Sequence, residues 1–181
     1  MRRLTVLGID FGRAPLALRE DLSFTAQQSQ AFYAGFAGQA ETELMILSTC
    51  NRTEFYLAAA AHELEPAEGG LLGALRRLRP SAAALDSACT RYRHAGPDAV
   101  RHMMAVAAGL RSQVRGDAHI ARQLRQATEI AAHSRAAGPI LERAVQASLK
   151  AARRVRAETG IGGGAASVGA AGKYSRHHQS T

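Results

Sequence analysis

The sequence predicts an α+β fold, in which a small layer of strands and helices is followed by a purely helical segment. In the first part of the chain, short apolar runs of strand length alternate with longer runs of helical periodicity, a pattern typical of small α/β or α+β layer structures. From residue 97 onward, apolar residues recur only at helical spacing. At 181 residues the chain is long enough for one good hydrophobic core with an appendage.

Each element of the first part has its own signal. Strands are predicted over residues 4–9, 43–48, 53–58 and 89–93, with residues 44–47 forming a compact apolar run. Helical periodicity predicts helices over residues 16–22, 26–37 and 66–78. Pro66 at the start and Arg79-Pro80 at the end mark the limits of the last of these helices.

The second part is predicted to contain three helices. The first presents a single apolar stripe formed by Val100, Met103, Ala107 and Leu110. The second covers residues 120–136 and ends near Gly138, and the third begins at Pro139, a favoured first-turn residue. The third helix has its apolar face at Leu141, Val145, Leu149 and Ala152, and cations near its end at Lys150, Arg153, Arg154 and Arg156. Cations at that end suit the helix macrodipole.

Charge is unevenly distributed along the chain. The net charge is +8, but residues 1–90 carry −2 and residues 91–181 carry +10. This asymmetry indicates a polyanionic partner for the C-terminal half, with a well-solvated helical surface as the alternative. Aromatic residues are sparse, which disfavours a platform for stacking single-stranded nucleic acid.

Two cysteines, Cys50 and Cys89, are too few for a disulfide framework, so a reducing, cytoplasmic environment is expected. No apolar run approaches the length of a membrane span, and the N-terminus has no signal-peptide pattern. Cys89 falls in a predicted strand and is expected to have a structural role.

Cys50 lies at the exit of a short apolar strand, in the segment Ile46-Leu47-Ser48-Thr49-Cys50-Asn51-Arg52-Thr53-Glu54-Phe55. Strand ends commonly lie in clefts where sites are built. A thiol there can attack an activated carbonyl, and nearby positive charge favours its thiolate form. The alternative is a small buried hydrophobic residue, which needs no hydroxyl, amide or guanidinium beside it.

The end of the sequence is different in composition. Gly160-Ile161-Gly162-Gly163-Gly164-Ala165 resembles a dinucleotide-binding loop, but it follows a helix rather than a strand, so a helix break is expected instead. The last nine residues lack periodicity and are expected to be disordered, with His177 and His178 in a solvated tail rather than a metal site.

Several segments together resemble the N-terminal part of glutamyl-tRNA reductase. The resemblance is carried by Ser48-Thr49-Cys50-Asn51-Arg52-Thr53-Glu54, by Gly8-Ile9-Asp10 with Ala14-Pro15 and Arg19-Glu20, and by residues 99–110 and 150–168. It covers roughly residues 4–170.

This resemblance implies a ferredoxin-like strand and helix layer followed by helices, the last being the start of a long, basic spinal helix. It implies a catalytic domain over residues 1–158 and a Gly-rich linker with a disordered tail over 159–181. In that family a cysteine attacks the aminoacyl ester of glutamyl-tRNA, and NADPH reduces the resulting thioester to glutamate-1-semialdehyde, the precursor of 5-aminolevulinate and porphyrins.

Site residues follow by position from the resemblance. Cys50 would be the nucleophile and His102 the histidine that supports activity. Substrate contacts would come from Thr49, Asn51, Arg52, Ser112, Asp117, Ala118, His119 and Gln123. An aminoacyl ester is already activated, so a thiolate suffices without a metal. Arg52 offers a bidentate fork for a carboxylate. His102 lies roughly 130° around its helix from the apolar stripe, so we expect it at a cleft or the surface rather than in the core.

The chain departs from the family pattern at the expected substrate pocket. Phe11, Gly12 and Arg13 stand where the family has a histidine, a basic residue and a hydroxyl. Four later positions also differ, namely Arg111 for an acid, Arg115 for leucine, Asp117 for glutamate and His119 for glutamine. These changes add positive charge and bear on glutamate recognition more than on thioester formation.

The sequence stops where the family's NADPH domain would begin, so we expect no NADPH site and no metal here. Reduction would then need a separate reductase, and an aminomutase is a second expected partner protein. Two hypotheses follow. In the first, Cys50 forms a thioester from an aminoacyl-tRNA. In the second, the chain is a non-catalytic module whose basic half binds tRNA or a partner protein.

Overall fold

The computed structural model describes residues 2–36 and 42–162. The described residues contain four strands and six α-helices. In chain order they are β1 (Arg2–Asp10), α1 (Leu16–Asp21), α2 (Ala26–Phe36), β2 (Glu43–Thr49), β3 (Arg52–Ala60), α3 (Leu64–Leu78), β4 (Tyr92–Ala95), α4 (Pro97–Ala107), α5 (His119–His133) and α6 (Pro139–Glu158). Short 3₁₀ helices cover Pro80–Asp86 and Gly160–Gly162.

The four strands form one antiparallel sheet in the order β2-β3-β1-β4. Helices α1 and α2 connect β1 to β2, and α3 connects β3 to β4. This connectivity and strand order are those of a ferredoxin-like layer, so the predicted α+β class is confirmed. β1 and β3 are the central strands, which explains why both are buried almost throughout.

Helices cover both faces of the sheet, and alternation along the strands assigns side chains to each face. On one face Phe55 packs edge-to-face against Phe24, with ring centroids 5.9 Å apart, and Arg93 forms an ion pair with Glu68 of α3. On the other face Met45 accepts a hydrogen bond from Thr128 of α5. Tyr56 of β3 pairs with Met45 and therefore faces the same side of the sheet. Because side chains alternate along a strand, residues 52 and 54 lie on this second face as well.

The second face is covered by α4, α5 and α6. α4 contacts β1 and β4 and packs along α6, which itself contacts β2 and β3. The predicted apolar face of α6 is buried, at Leu141, Val145, Leu149 and Ala152. Burying a leucine or valine of this kind contributes about 1.5–3 kcal/mol. α6 thus packs against α4, and α4 in turn contacts β1 and β4 of the sheet.

Several predicted boundaries are wrong. α4 ends at Ala107, so Leu110 of the predicted apolar stripe lies beyond the helix and is exposed. α3 begins at Leu64, two residues before Pro66. α5 ends at His133, since Arg135 has a φ of 55° that no α-helix accommodates. The last strand is Tyr92–Ala95 rather than 89–93, so Cys89 lies in a turn and is exposed. The expected structural role of Cys89 in a strand is therefore not supported.

The remaining predictions about the ends concern residues outside those described. Residues 163–181, including His177 and His178, lie outside the described part of the chain, as does most of the predicted linker and tail. Gly160–Gly162 forms a 3₁₀ turn directly after α6. Among residues 2–36 and 42–162, no helix is long and apolar enough to cross a membrane.

Candidate active site

Cys50 lies at the tip of the hairpin between β2 and β3. Thr49 pairs with Arg52, so Cys50 and Asn51 form a two-residue turn. The Cys50 side chain is exposed. The alternative of a buried, packing cysteine is therefore wrong.

Three hydrogen bonds to backbone atoms of the turn hold it in place. The Arg19 guanidinium donates to the Cys50 carbonyl at 2.6 Å, and the Phe11 amide donates to the Asn51 carbonyl at 2.9 Å. The Asn51 amide donates to Thr49 Oγ1 at 3.2 Å. The thiol is thus exposed on a turn whose backbone carbonyls are hydrogen-bonded to Arg19 of α1 and to Phe11, the residue after β1.

Arg52 is buried beneath the turn rather than open beside the thiol. It is 1% exposed, and its Nη1 donates to Glu54 Oε1 at 2.8 Å. Its Nη2 donates to the carbonyl of Arg111. The expectation of an open guanidinium ready to take a substrate carboxylate is not met, because a buried carboxylate of the chain already occupies that group.

Glu54 is the centre of a buried polar cluster, which we define as Arg52, Glu54, Tyr56, Tyr92 and His102. Oε1 of Glu54 accepts from Arg52, from the Tyr92 hydroxyl at 2.5 Å and from His102 Nε2 at 2.9 Å. Oε2 accepts from the Tyr56 hydroxyl at 2.5 Å. The carboxylate is 0% exposed, so all of its stabilisation comes from these protein groups.

These partners decide the charge state of the cluster. Burial alone would raise the pKa of Glu54, but the His102 hydrogen bond and the Arg52 charge lower that pKa to about 2. Burial, reinforced by the nearby Glu54 charge, raises the pKa of both Tyr56 and Tyr92 well above its usual value. At neutral pH the cluster therefore holds an ionised carboxylate and two neutral tyrosines that donate to it.

His102 is a core residue, contrary to the prediction that it faces a cleft or the surface. It is 7% exposed and lies on the inner face of α4, where it reaches Glu54. α4 is buried over a wider arc than the predicted stripe, with Ala99, His102 and Val106 buried as well as Met103 and Ala107. The His102 ring also stacks on His94 of β4, with centroids 4.8 Å apart.

A loop over residues 108–118 joins this cluster to the end of α6. The Arg111 carbonyl accepts a hydrogen bond from Arg52 of the cluster. Ser112 is the next residue of the loop. At the start of the loop, Arg156 Nη2 donates to the Ala107 carbonyl at 3.0 Å. Gly116 has a φ of 85° and contacts Ile161 so closely that a Cβ would overlap the Ile161 carbonyl. The loop is therefore fixed from both the hairpin and α6.

The other predicted substrate residues lie at the far end of this loop. Asp117 Oδ1 accepts from the His119 amide at 2.9 Å, and His119 Nδ1 lies 3.0 Å from Arg122. Ala118 and His119 are exposed at the start of α5, and Gln123 is half-buried one turn later. The hydrogen bonds described for Asp117 and His119 stay within this turn, and none joins them to the Cys50 hairpin.

Two arginines that depart from the family pattern border the cluster. The Arg13 guanidinium lies 5.9 Å from the centre of the Tyr92 ring and donates to the Ala88 carbonyl at 3.1 Å. Partial burial and the charges of His102 and Arg111 lower the pKa of His94. The extra cations thus act on His94, where they disfavour a positive charge on that ring.

The described residues contain no parallel strand–loop–helix unit of the kind that holds a dinucleotide. The sheet is antiparallel, whereas the family of Gly-rich dinucleotide loops needs a parallel strand–loop–helix unit. Gly160–Gly162 follows α6 and not a strand. Within residues 2–36 and 42–162, no three His, Cys, Asp or Glu side chains converge as metal ligands would.

Comparison with known proteins decides the family. The family model for the N-terminal domain of glutamyl-tRNAGlu reductase matches residues 7–159. The chain belongs to the glutamyl-tRNA reductase family. A glutamyl-tRNA reductase from Rubrobacter xylanophilus is 38% identical over 169 residues, which is 91% of this chain and 38% of that protein. One from Marinobacter nauticus is 39% identical over 176 residues, or 97% of this chain and 40% of that protein.

A solved structure supports the same assignment. Glutamyl-tRNA reductase from Methanopyrus kandleri superposes with a TM-score of 0.70 at 27% identity, covering 93% of this chain and 38% of that one. The chain therefore spans about two-fifths of the length of the family members it matches.

The structure places four residues at the site for which the sequence predicts no role. Glu54 lies within the cysteine motif, whereas Tyr56, Tyr92 and His94 lie outside it. Arg52, Glu54 and Tyr56 follow one another at the strand period of two, a visible signal that polar groups share one face. Nothing in the local sequence indicates that Tyr92 and His102 meet them.

Proposed function

We propose that this chain performs the acyl-accepting step of glutamyl-tRNA reductase. In this proposal the Cys50 thiol attacks the ester carbonyl that links the glutamyl group to the 3′ end of its tRNA. The resulting thioester lies on the route to glutamate-1-semialdehyde and tetrapyrroles. Family membership supports the reaction class, and the exposed thiol on a fixed hairpin turn carries the assignment to Cys50.

The step balances without a metal or a redox partner. The thiol gives up its proton, a carbon–sulfur bond forms, and the ester carbon–oxygen bond breaks. The departing tRNA hydroxyl takes up a proton, so one thiol and one ester give one thioester and one alcohol. In the family, NADPH then reduces the thioester, and we assign no part of that reduction to residues 2–36 and 42–162.

The position of the turn suits this chemistry. A nucleophile must approach the carbonyl from a defined direction, and a fixed backbone lowers the entropic cost of reaching that geometry. The bonds from Arg19 and Phe11 hold the turn on either side of the thiol. Below it, the Arg52–Glu54 pair fixes the first residues of β3.

A second candidate function, binding of tRNA without catalysis, is favoured by the exposed cations of α6. Arg143, Lys150 and Arg153 are exposed along this helix, within the half of the chain that carries +10. Cations on one helix can neutralise tRNA phosphates, and such binding weakens steeply as salt rises. This function would not depend on Cys50.

One experiment separates the two candidates. The chain is mixed in excess with glutamyl-tRNA, and loss of the aminoacyl ester is followed in one turnover for the wild type, Cys50→Ser and Cys89→Ser. Cys89 is the matched control, because it is also an exposed free thiol. We expect rapid ester loss in the wild type and Cys89→Ser but not in Cys50→Ser. Salt-sensitive binding with equal ester loss in all three proteins would overturn the acyl-transfer proposal in favour of the binding module.

A further inference from the structure

Exposed apolar side chains are concentrated around the Cys50 hairpin. Within residues 2–36 and 42–162, the large hydrophobic residues that are exposed are Phe11, Leu16, Leu78 and Leu110. All but Leu78 belong to segments that hydrogen-bond to the hairpin, namely the residue after β1, helix α1 and the loop over residues 108–118. A single exposed apolar residue is ordinary, whereas several around one site indicate a surface that binds another molecule.

Phe11 is the one of these residues whose own backbone is bonded to the turn. Its amide donates to the Asn51 carbonyl at 2.9 Å, and the preceding residue, Asp10, pairs with Arg52 across the sheet. Standard backbone dimensions then place the Phe11 Cα at most about 11 Å from the Cys50 Cα. Phe11 is 40% exposed, so much of this aromatic residue is open to a ligand that approaches the thiol.

The loop that carries Phe11 is closed by hydrogen bonds to Asp10. The Asp10 carbonyl accepts from the amides of Arg13 at 3.1 Å and Ala14 at 2.9 Å, and Asp10 Oδ1 accepts from the Gly12 amide at 3.1 Å. With the Asn51 bond, these contacts fix the backbone on both sides of Phe11. A group whose backbone is held in place before binding loses less conformational entropy when a ligand arrives.

The chemistry proposed for Cys50 decides which part of the substrate comes near Phe11. The aminoacyl ester is made on the ribose of the last nucleoside of tRNA, which is an adenosine, so a single ribose separates the reacting carbonyl from the adenine base. When the carbonyl reaches the thiol, the adenine must lie within the length of one nucleoside. Aromatic side chains hold bases by stacking, and one ring is enough for one base even in a chain with few aromatic residues.

The charges near Phe11 favour a nucleic acid over an apolar protein surface. Arg13 follows two residues later and is exposed, and Arg111 is exposed on the loop whose carbonyl binds Arg52. The charges of both arginines lower the pKa of His94, as expected if both act on the same region. An aromatic ring with cations beside it is the combination that binds single-stranded nucleic acid, and the 3′ end of tRNA is single-stranded.

We propose that Phe11 receives the 3′-terminal adenine of the aminoacyl-tRNA by stacking, and so positions the ester carbonyl at Cys50. This inference rests on the proposed function of Cys50. Phe11 takes no part in bond making or proton transfer. It recognises the base that every aminoacyl-tRNA shares, so it contributes to the use of tRNA esters as a class and not to the choice of amino acid.

The first test measures stacking without any chemistry. Uncharged tRNA that carries 2-aminopurine in place of the terminal adenine is mixed with the full chain, and the fluorescence of the 2-aminopurine reports its stacking. We expect a fluorescence change with the wild type and with Phe11→Tyr, which keeps a ring, but not with Phe11→Ala. Leu78→Ala is the matched control, because Leu78 is an exposed apolar residue at the end of α3 and should leave the change intact.

The second test asks whether stacking speeds acyl transfer. Two glutamyl esters are compared in single-turnover acylation of Cys50, the 3′-ester of adenosine and the matching ester of 1-deoxyribose, which has no base. We expect the wild type to react about 10-fold faster with the adenosine ester, the scale of one stacked base. Phe11→Ala should lose this preference by slowing only the adenosine ester, and Leu78→Ala should keep it. Equal slowing of both esters in Phe11→Ala would overturn the proposal, because Phe11 would then act on the hairpin and not on the base.

The outcomes separate this inference from the proposed function. If the wild type gives no fluorescence change, or if Phe11→Ala gives the same change as the wild type, the stacking role is overturned whatever the acylation rates are. If the fluorescence changes as expected but glutamyl-tRNA and both small esters leave Cys50 unmodified in the wild type, the function assigned to Cys50 fails and the contact between Phe11 and the base stands.

Discussion

Gly8 of β1 lies directly between Glu54 of β3 and Tyr92 of β4, because it pairs with both residues across the sheet. A Cβ at Gly8 would lie 2.9 Å from the Glu54 Cγ and 2.9 Å from the Tyr92 hydroxyl. The absence of a side chain at this one position lets a tyrosine reach a carboxylate two strands away. The buried cluster is thus built across three strands.

Gly8→Ala is expected to disrupt this meeting. The added methyl would push Glu54 and Tyr92 apart in a region without free space, at a cost of about 1–3 kcal/mol in the free energy of unfolding. Denaturant unfolding measures the loss. Gly69→Ala is the control, because Gly69 lies in α3 with nothing near its missing Cβ and should gain about 0.5–1 kcal/mol from helix propensity. A neutral Gly8→Ala would contradict the described packing.

The stability of the chain should depend on pH through Glu54. The folded-state pKa of Glu54 is about 2, below the ordinary value of 4.5, so its stabilisation is present above about pH 4.5 and is lost as the pH falls toward 2. Unfolding free energies measured at several pH values between 6 and 2 should therefore drop less steeply in Glu54→Gln than in the wild type. Parallel curves would show that Glu54 does not titrate with a lowered pKa in the folded chain.

Glu43 is expected to stabilise the start of α6. It is 5% exposed, and its carboxylate accepts from the amides of Leu141 at 2.8 Å and Ile140 at 3.2 Å while also pairing with Arg2. A carboxylate that binds the free amides of a helix N-terminus acts as a cap. Glu43→Ala should cost about 0.5–2 kcal/mol by thermal unfolding.

The matched control for Glu43 is Glu142→Ala, since Glu142 is an exposed acid in the same first turn of α6. It should cost less than Glu43→Ala, because only a weak interaction with the helix dipole is lost. Equal losses in the two variants would show that Glu43 contributes charge alone and not hydrogen bonds.

Gly116→Ala is expected to loosen the loop over residues 108–118. Its φ of 85° disfavours any other residue, and a Cβ would overlap the Ile161 carbonyl, so the loop must move at a cost of about 1–3 kcal/mol. Hydrogen exchange of the loop amides should accelerate, and the Arg111 carbonyl should lose its contact with Arg52. Gly160→Ala, where the Cβ would meet nothing, should leave exchange unchanged. Acceleration in both variants would point to α6 fraying instead.

Much of the fold follows from local signals in the sequence. The strands of the hairpin are predicted within two residues, because compact apolar runs end at polar turn residues on both sides. The start of α6 follows from Pro139, whose missing amide hydrogen suits the first helical turn. The fourth strand is misplaced because four residues are too few for alternation to define, and only pairing with β1 determines where it lies.

The site is predictable only in part. The exposed position of Cys50 follows from the end of an apolar strand, but the burial of Arg52 does not, because its partner lies two residues ahead on the same face. His102 is misjudged because a single apolar stripe suggests one contact surface, whereas α4 contacts both the sheet and α6. Tyr92 joins Glu54 through the strand register at Gly8, which no local pattern encodes.

The most direct test of the acyl-transfer proposal is the intact mass of the protein after rapid mixing with glutamyl-tRNA and acid quenching. We predict an adduct with the mass of one glutamyl group, located on the peptide that contains Cys50, released by hydroxylamine and absent in Cys50→Ser. An adduct elsewhere in the chain, or none on Cys50 while the folded protein binds glutamyl-tRNA, would contradict the proposal.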